Sequence, residues 1–131
     1  MYLNDKVIDN QFPLKHNYVI KRQEFEQIKN SVSIDDNFSN LEGDTLIIPL
    51  EDKFVRANKL NAQRYILPLN KSDKDISNIY SQNWNQDNFG PIKVPRETYF
   101  VLGDNRNNAW DSRYRGFISK KDFLGTVLLK K

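Results

Sequence analysis

The stretch richest in side chains able to do chemistry is Gly103-Asp104-Asn105-Arg106-Asn107-Asn108-Ala109-Trp110-Asp111-Ser112-Arg113-Tyr114-Arg115-Gly116, and an apolar run leads directly into it. A chain that leaves a strand through Gly and then Asp-Asn-Arg turns a tight corner, where short polar side chains bond the loose backbone donors. Asp104 with Arg106 and Asp111 with Arg113 are available as acid–base pairs. Residues two apart in an extended segment point the same way, so Asp111 and Arg113 can pair on one face. A loop stiffened in this way suits the wall of an active site. Other readings compete. A calcium loop alternates Asp and Asn, but Ala109 stands where its Gly belongs and Arg115 where its closing Glu belongs. A nucleophile built on Ser112 and Asp111 needs a histidine, and His16 is the only one in the chain. The default for such a charged run is a solvated loop without chemistry.

The elements that must position this stretch are short. Tyr2-Leu3 and Val7-Ile8 flank Asn4-Asp5-Lys6 and read as a hairpin. Asn17 to Lys21, Asp44 to Leu50 and Arg64 to Leu67 are rich in β-branched, aromatic or leucine residues and read as strands. Between them, Phe25, Ile28 and Val32, then Phe54, Ala57 and Leu60, fall at helical spacing, predicting helices over 23–32 and 51–60. Glu24 and Glu26 sit in the first turn of the earlier one, where acids favour a helix start. A loop of Asp, Asn and Ser separates the first helix from the second strand. Residues 70–88 read as loop with a helical turn near Asp75 to Ile79. Ile92 to Val94, Thr98 to Leu102 and Thr126 to Leu129 read as strands, with Ser119 and Asp122 capping a helical turn before the last. The expected class is mainly β with short α insertions, an antiparallel, barrel-like sheet fragment beside an α+β region.

Composition excludes several functions. The chain has 131 residues, enough for one domain or one domain and part of another. Cysteine is absent, which removes disulfides and thiolate metal sites. The net charge of +3 comes from dispersed Lys and Arg, which describes a solvated surface rather than a nucleic-acid interface. His16 follows Lys15 in a polar stretch with no Asp or His at useful spacing, so it reads as neither ligand nor base. No apolar run approaches the roughly 18 residues needed to span a bilayer. The first six residues lack the basic start and apolar stretch of a secretory leader. The chain begins in a strand and turn, as a cut-out fragment would.

Gly103-Asp104-Asn105-Arg106, followed by Asp111-Ser112-Arg113 and Gly116-Phe117, resembles the last conserved box of type I signal peptidases. Its surroundings agree. Phe89-Gly90-Pro91-Ile92 with Val94-Pro95 resembles the family's approach to the box, Tyr99 to Leu102 the strand into it, and Phe123-Leu124-Gly125 the turn after it. Asn83 to Asn88 resembles the Bacteroidetes version, and Tyr2 to Lys6 the hairpin that follows the family's lysine box. The other early residues match loosely.

The resemblance implies the C-terminal, extracytoplasmic portion of signal peptidase I, a serine endopeptidase of the inner membrane that removes N-terminal signal peptides from exported proteins. Its Ser–Lys dyad works because an apolar setting disfavours the ammonium form and lets a lysine act as base. The family's Ser-Met-x-Pro and Lys-Arg-x-x-Gly-x-Pro-Gly-Asp patterns are absent here; Met1 is the only methionine. Lys21-Arg22 is followed by Gln23-Glu24-Phe25, so Lys21 reads as a surface lysine rather than the base. No catalytic residue is therefore assigned, and the chain alone is expected to be inactive. Gly103, Asp104, Asn105, Arg106, Asp111, Ser112 and Arg113 are assigned to active-site support. By resemblance, Asp111 and Arg113 form a salt bridge behind the catalytic lysine region, and Asp104 pairs with the arginine beside that lysine. With that partner absent, Asp104 is expected to face solvent. Ala109 stands where many members have a serine that orients the lysine amine. Residues 1–91 are expected to be a non-catalytic, insert-like region, and residues 92–131 the returning strands of the catalytic core. The expected partners are signal peptides and a membrane, through an anchor outside this chain, with no cofactor, metal or nucleic acid. The alternative is an inactive signal-peptidase-like domain that binds peptides or export-machinery proteins.

Overall fold

A computed structural model of the chain describes residues 1–32, 39–40 and 43–126. Contacts divide it into two compact units. One comprises Met1–Leu67 with Gly103–Ala109, the other Pro68–Leu102 with the described residues from Trp110 onward.

The first unit opens with a two-stranded ribbon, β1 (Tyr2–Leu3) and β2 (Lys6–Val7). Asn4 and Asp5 turn it, with φ of 49° and 63°. Two successive left-handed residues make the hairpin turn whose twist matches the strands, and Asn and Asp tolerate that conformation best after Gly. Lys6, expected in the turn, belongs to β2 instead. A single 3-10 turn, Asp9–Gln11, follows.

β3 (Lys15–Lys21) alternates, burying His16, Tyr18 and Ile20 while Lys21 at its end is exposed. It pairs antiparallel along its whole length with β5 (Thr45–Glu51), from Lys15 opposite Glu51 to Lys21 opposite Thr45. β4 (Ser39–Asn40) pairs with β5 at Ile47 and Leu46, and β6 (Gln63–Arg64) with β3 at Val19 and Tyr18. The sheet order is β4-β5-β3-β6. Pro49 lies beyond the two β4 pairs, where β5 has one described neighbour and a missing N–H does least harm. Helices α1 (Arg22–Ile28) and α2 (Asp52–Ala57) each follow a long strand. Ile28 and Val55 from these helices join Tyr18, Ile20, Leu46, Ile48 and Leu50 in the core. Both helices are shorter than their apolar spacing predicts. α2 stops because Asn58 donates its side-chain amide to the Phe54 carbonyl and Lys59 turns left-handed, at φ 50°.

His16 corrects an expectation. It is buried, and its Nδ1 lies 2.8 Å from Asp52 Oδ1, the carboxylate that also accepts from the Tyr18 hydroxyl at 2.9 Å. The partner sought near His16 in sequence comes instead from the first residue of α2, 36 positions on.

In the second unit α3 (Lys74–Tyr80) is capped by Asp73, whose carboxylate accepts from the Asp75 and Ile76 amides. It buries Ile76 completely. Tyr80, Trp84, Phe89, Phe100 and Phe117 form a chain of aromatic contacts, with Trp84 and Phe89 centroids 4.8 Å apart. β7 (Thr98–Tyr99) pairs antiparallel with β8 (Ile118–Ser119), and between them lies the single-turn helix α4 (Ser112–Arg115). A 3-10 turn, Lys120–Asp122, is capped by the Ser119 hydroxyl. Two expected strands are shorter or missing. Ile92 to Val94 joins no sheet among the described residues, lying between Pro91 and Pro95, which cannot donate to a ladder. Among the described residues the strand ending at Leu102 pairs only through Thr98 and Tyr99, because Val101 exchanges its hydrogen bonds with Ser112. The final strand read at Thr126 to Leu129 falls, apart from Thr126, outside the described residues, as does most of the loop after α1.

The class is thus antiparallel sheets with a few short helices, and the sheets close into no barrel among the described residues. No described helix is long and apolar enough to cross a membrane.

Burial holds the His16 imidazole below its ordinary pKa of 6.5, outweighing the Asp52 carboxylate, and Arg64 and Arg106 push the same way. Burial and the bond to Asp52 push the Tyr18 phenol up to about 12. A histidine whose folded value is lowered binds its proton more readily when unfolded. Its contribution is complete above 6.5 and is lost as pH falls from there towards the folded value. Urea unfolding should therefore show lower stability at about pH 5.5 than at about pH 7.5, and the loss should be smaller in His16→Gln.

Candidate functional site

The chain enters the first unit at Gly103 and leaves it after Ala109. This segment is fastened to the start of β3. Lys15 N–H donates to the Asp104 carbonyl at 2.8 Å, and Arg106 N–H to the Lys15 carbonyl at 2.9 Å, making a parallel bridge at Asn105. Asn17 N–H donates to Asn107 Oδ1 at 2.9 Å. The backbone groups of β3 left over by its ladder with β5 are thus partly satisfied by this loop. Gly103 is required by a close approach: a Cβ there would sit 2.4 Å from the Ala109 Cβ. Asp104 is exposed, as expected, and its carboxylate accepts from the Asn105 N–H at 2.8 Å. The Arg106 guanidinium is largely buried, 3.6 Å from Asp9 and 3.8 Å from Met1 Sδ. Asn105 Oδ1 is buried and accepts no hydrogen bond among the described residues.

Asp111, Ser112 and Arg113 lie in the second unit, all three buried. The expected acid–base pair is formed, but not in an extended strand. Asp111 caps α4, its Oδ1 accepting from the Arg113 backbone N–H at 3.1 Å. The same carboxylate takes Arg113 Nε at 2.9 Å and Nη2 at 2.7 Å, a bidentate pair with side chains only 6% and 5% exposed. Arg113 Nη1 continues to the Gln86 carbonyl at 3.1 Å. The pair therefore ties α4 to the loop before Phe89. Ser112 is a structural tie: its hydroxyl accepts from Val101 N–H, and its carbonyl accepts from the Tyr80 hydroxyl.

Sequence reading missed the residues that hold this pair. Asn85 is fully buried; its amide donates to the Pro68 and Lys71 carbonyls while its oxygen accepts from Asp87 and Asn88. It shapes the loop that presents Gln86 to Arg113. Tyr114 adds a weak bond to Gln86 Oε1 at 3.3 Å. Burial raises the phenols of Tyr80 and Tyr114, reinforced at Tyr80 by the Asp111 charge and at Tyr114 by Asp73, so both stay protonated donors. Only the unusual density of Asn in residues 83–88 hinted at a built loop. Lys21 stands exposed at the end of β3, next to α1.

Against known proteins, the family profile for "Signal peptidase, peptidase S26" matches residues 1–130. The chain belongs to the signal peptidase family. Signal peptidase I P of Bacillus subtilis subsp. natto is 43% identical over 86 residues, covering 65% of this chain and 43% of the relative. A probable signal peptidase I-2 of Synechocystis is 50% identical over 42 residues, covering 32% of this chain and 19% of the relative. Signal peptidase I of Bacillus amyloliquefaciens is 34% identical over 87 residues, covering 66% and 44%. The chain spans less than half the length of these relatives. No solved structure gives a significant match.

In the second unit the Asp111–Arg113 pair is a bidentate ion pair buried from water. Removing one partner leaves the other charge buried, so Asp111→Ala should destabilise the unit by about 3–5 kcal/mol. Asp111→Ala combined with Arg113→Met should cost clearly less, since no buried charge is then stranded. Urea unfolding followed by Trp fluorescence checks both.

Proposed function

We propose that this chain is the C-terminal, extracytoplasmic portion of a signal peptidase I, a Ser–Lys endopeptidase that removes signal peptides from exported proteins at the bacterial inner membrane. The observation that carries the reading is the family match along residues 1–130, together with the box Gly103-Asp104-Asn105-Arg106 and Asp111-Ser112-Arg113. On this reading residues 92–131 return to the catalytic core and residues 1–91 are the non-catalytic region. The Asn83–Asn88 stretch favours a Bacteroidetes-type parent.

The seven box residues act as support. The loop clamped to β3 through Lys15 and Asn17 holds Asp104 outward, open to a cation. The bidentate Asp111–Arg113 pair fixes α4 and the Gln86 loop, giving a wall that does not relax. The nucleophilic serine and the lysine base come from outside these 131 residues. The reading invokes no metal and no cofactor. The rival is a signal-peptidase-like domain that binds peptides or export-machinery proteins without cutting them.

The chain alone, at micromolar concentration, should release no product from a peptide carrying an Ala-x-Ala cleavage site; turnover would show that it holds its own catalytic groups. Sequencing the gene upstream separates the two readings. Ser-Met-x-Pro and Lys-Arg-x-x-Gly-x-Pro-Gly-Asp should precede these codons in frame, and a start codon with neither pattern before it would leave the binding role.

A further inference from the structure

His16 is a buried titratable group for which the supporting role of the box has no use. From α2, the Asp52 carboxylate lies 2.8 Å from its Nδ1 and also accepts from the Tyr18 hydroxyl of β3 at 2.9 Å. An ionised carboxylate only accepts, so Nδ1 carries the hydrogen and Nε2 is bare. Asp52 is itself fixed, its N–H donating to the Leu14 carbonyl at 3.1 Å. Across the ladder, β5 places the apolar Leu50 opposite His16. A second proton would enter at Nε2, on a residue only 4% exposed. There it meets the charges of two guanidiniums, Arg64 from β6 and Arg106 from the box loop. The two differ in their freedom to give way. Arg64 is exposed and can turn into water. The Arg106 side chain is 12% exposed and lies 3.6 Å from Asp9, so it moves only with its loop.

That loop is held by the residues on either side of His16. Lys15 bonds Asp104 through its N–H and Arg106 through its carbonyl, and Asn17 N–H bonds Asn107 Oδ1. Alternation along β3 turns the His16 backbone towards β5 and leaves its two neighbours for the loop. We propose that a proton taken up by His16 releases the box loop, so that acid weakens the hold of Lys15 and Asn17 on Asp104 to Asn107. Its meaning, a peptidase brace that slackens in acid, rests on the reading under Proposed function; the coupling itself lies within the first unit. Linkage fixes the direction. Burial and the two arginines hold the fastened imidazole below its ordinary 6.5, and release returns it towards that value by admitting water and removing Arg106. The clamp is therefore at full strength above 6.5, and at about pH 5.5 opening is favoured by at most about tenfold. By reciprocity, whatever loosens the loop makes the proton easier to add.

His16 is the only histidine, so its imidazole signal in an NMR titration of the full 131-residue chain is unambiguous. The midpoint should lie below 6.5. Asn107→Ala, which removes the bond to Asn17 and changes no charge, should raise it. Ile28→Val, a mild core change in the same unit, should leave it in place. In the parent chain the Lys15, Asn17 and Arg106 amides, corrected for intrinsic exchange, should lose up to about tenfold in protection between about pH 7.5 and 5.5. His16→Gln should abolish that loss. A midpoint at or above 6.5 overturns the proposal, as does one that Asn107→Ala leaves alone or that Ile28→Val moves equally far. So does loop protection that is the same at both pH values, or that falls just as far in His16→Gln. The parent titration and exchange decide the matter even where Asn107→Ala fails to fold. No substrate enters these measurements, so their failure sinks the proton switch and leaves the peptidase reading standing.

Discussion

β3 is the strand on which the first unit depends. Along one edge it pairs with β5 for seven residues; along the other it takes β6 at Tyr18 and Val19 and the box loop at Lys15 and Asn17. Its inward side chains reach Asp52 at one end and the apolar core at the other. A one-residue slip of this strand would turn His16, Tyr18 and Ile20 outward and detach the box loop together. The period-2 pattern thus does two jobs. It fixes the core face, and it sets which backbone groups remain for Asp104 to Asn107.

The second unit solves a similar problem with only a two-residue strand pair among its described residues. Val101 lies just past a two-residue pairing and meets no further strand among the described residues; it bonds instead to Ser112 at the start of α4. Asp111 caps that helix and neutralises Arg113 in the same stroke, and Arg113 reaches across to Gln86. A four-residue helix has little stability of its own. It persists because its polar ends are occupied and its charges are paired out of water.

Much of this was legible in the residues. The hairpin at Asn4 and Asp5, the β-branched and aromatic content of β3, the leucine and isoleucine run of β5 and the helix after each follow from local preferences that tertiary packing did not oppose. The Asp111–Arg113 pair was legible from types and spacing, though the backbone that makes it is a cap rather than an extended strand. What could not be read was set by distant partners. Asp52 meets His16 across 36 positions, and Asn85 gathers carbonyls from Pro68 and Lys71. No periodicity encodes such meetings. Nor does sequence spacing show that Gly103–Ala109 packs with residues 1–67 while Asp111–Arg113 packs with residues 68–102.

The claim that β3 holds the box loop in place is most directly tested by amide hydrogen exchange of the intact chain. The Lys15, Asn17 and Arg106 amides, bonded respectively to Asp104, Asn107 and Lys15, should exchange far more slowly than the exposed amides of the same loop. Exchange of all three at the rate of an open loop would mean that the segment is not fastened to the strand, and the account of the box as a braced support would fail.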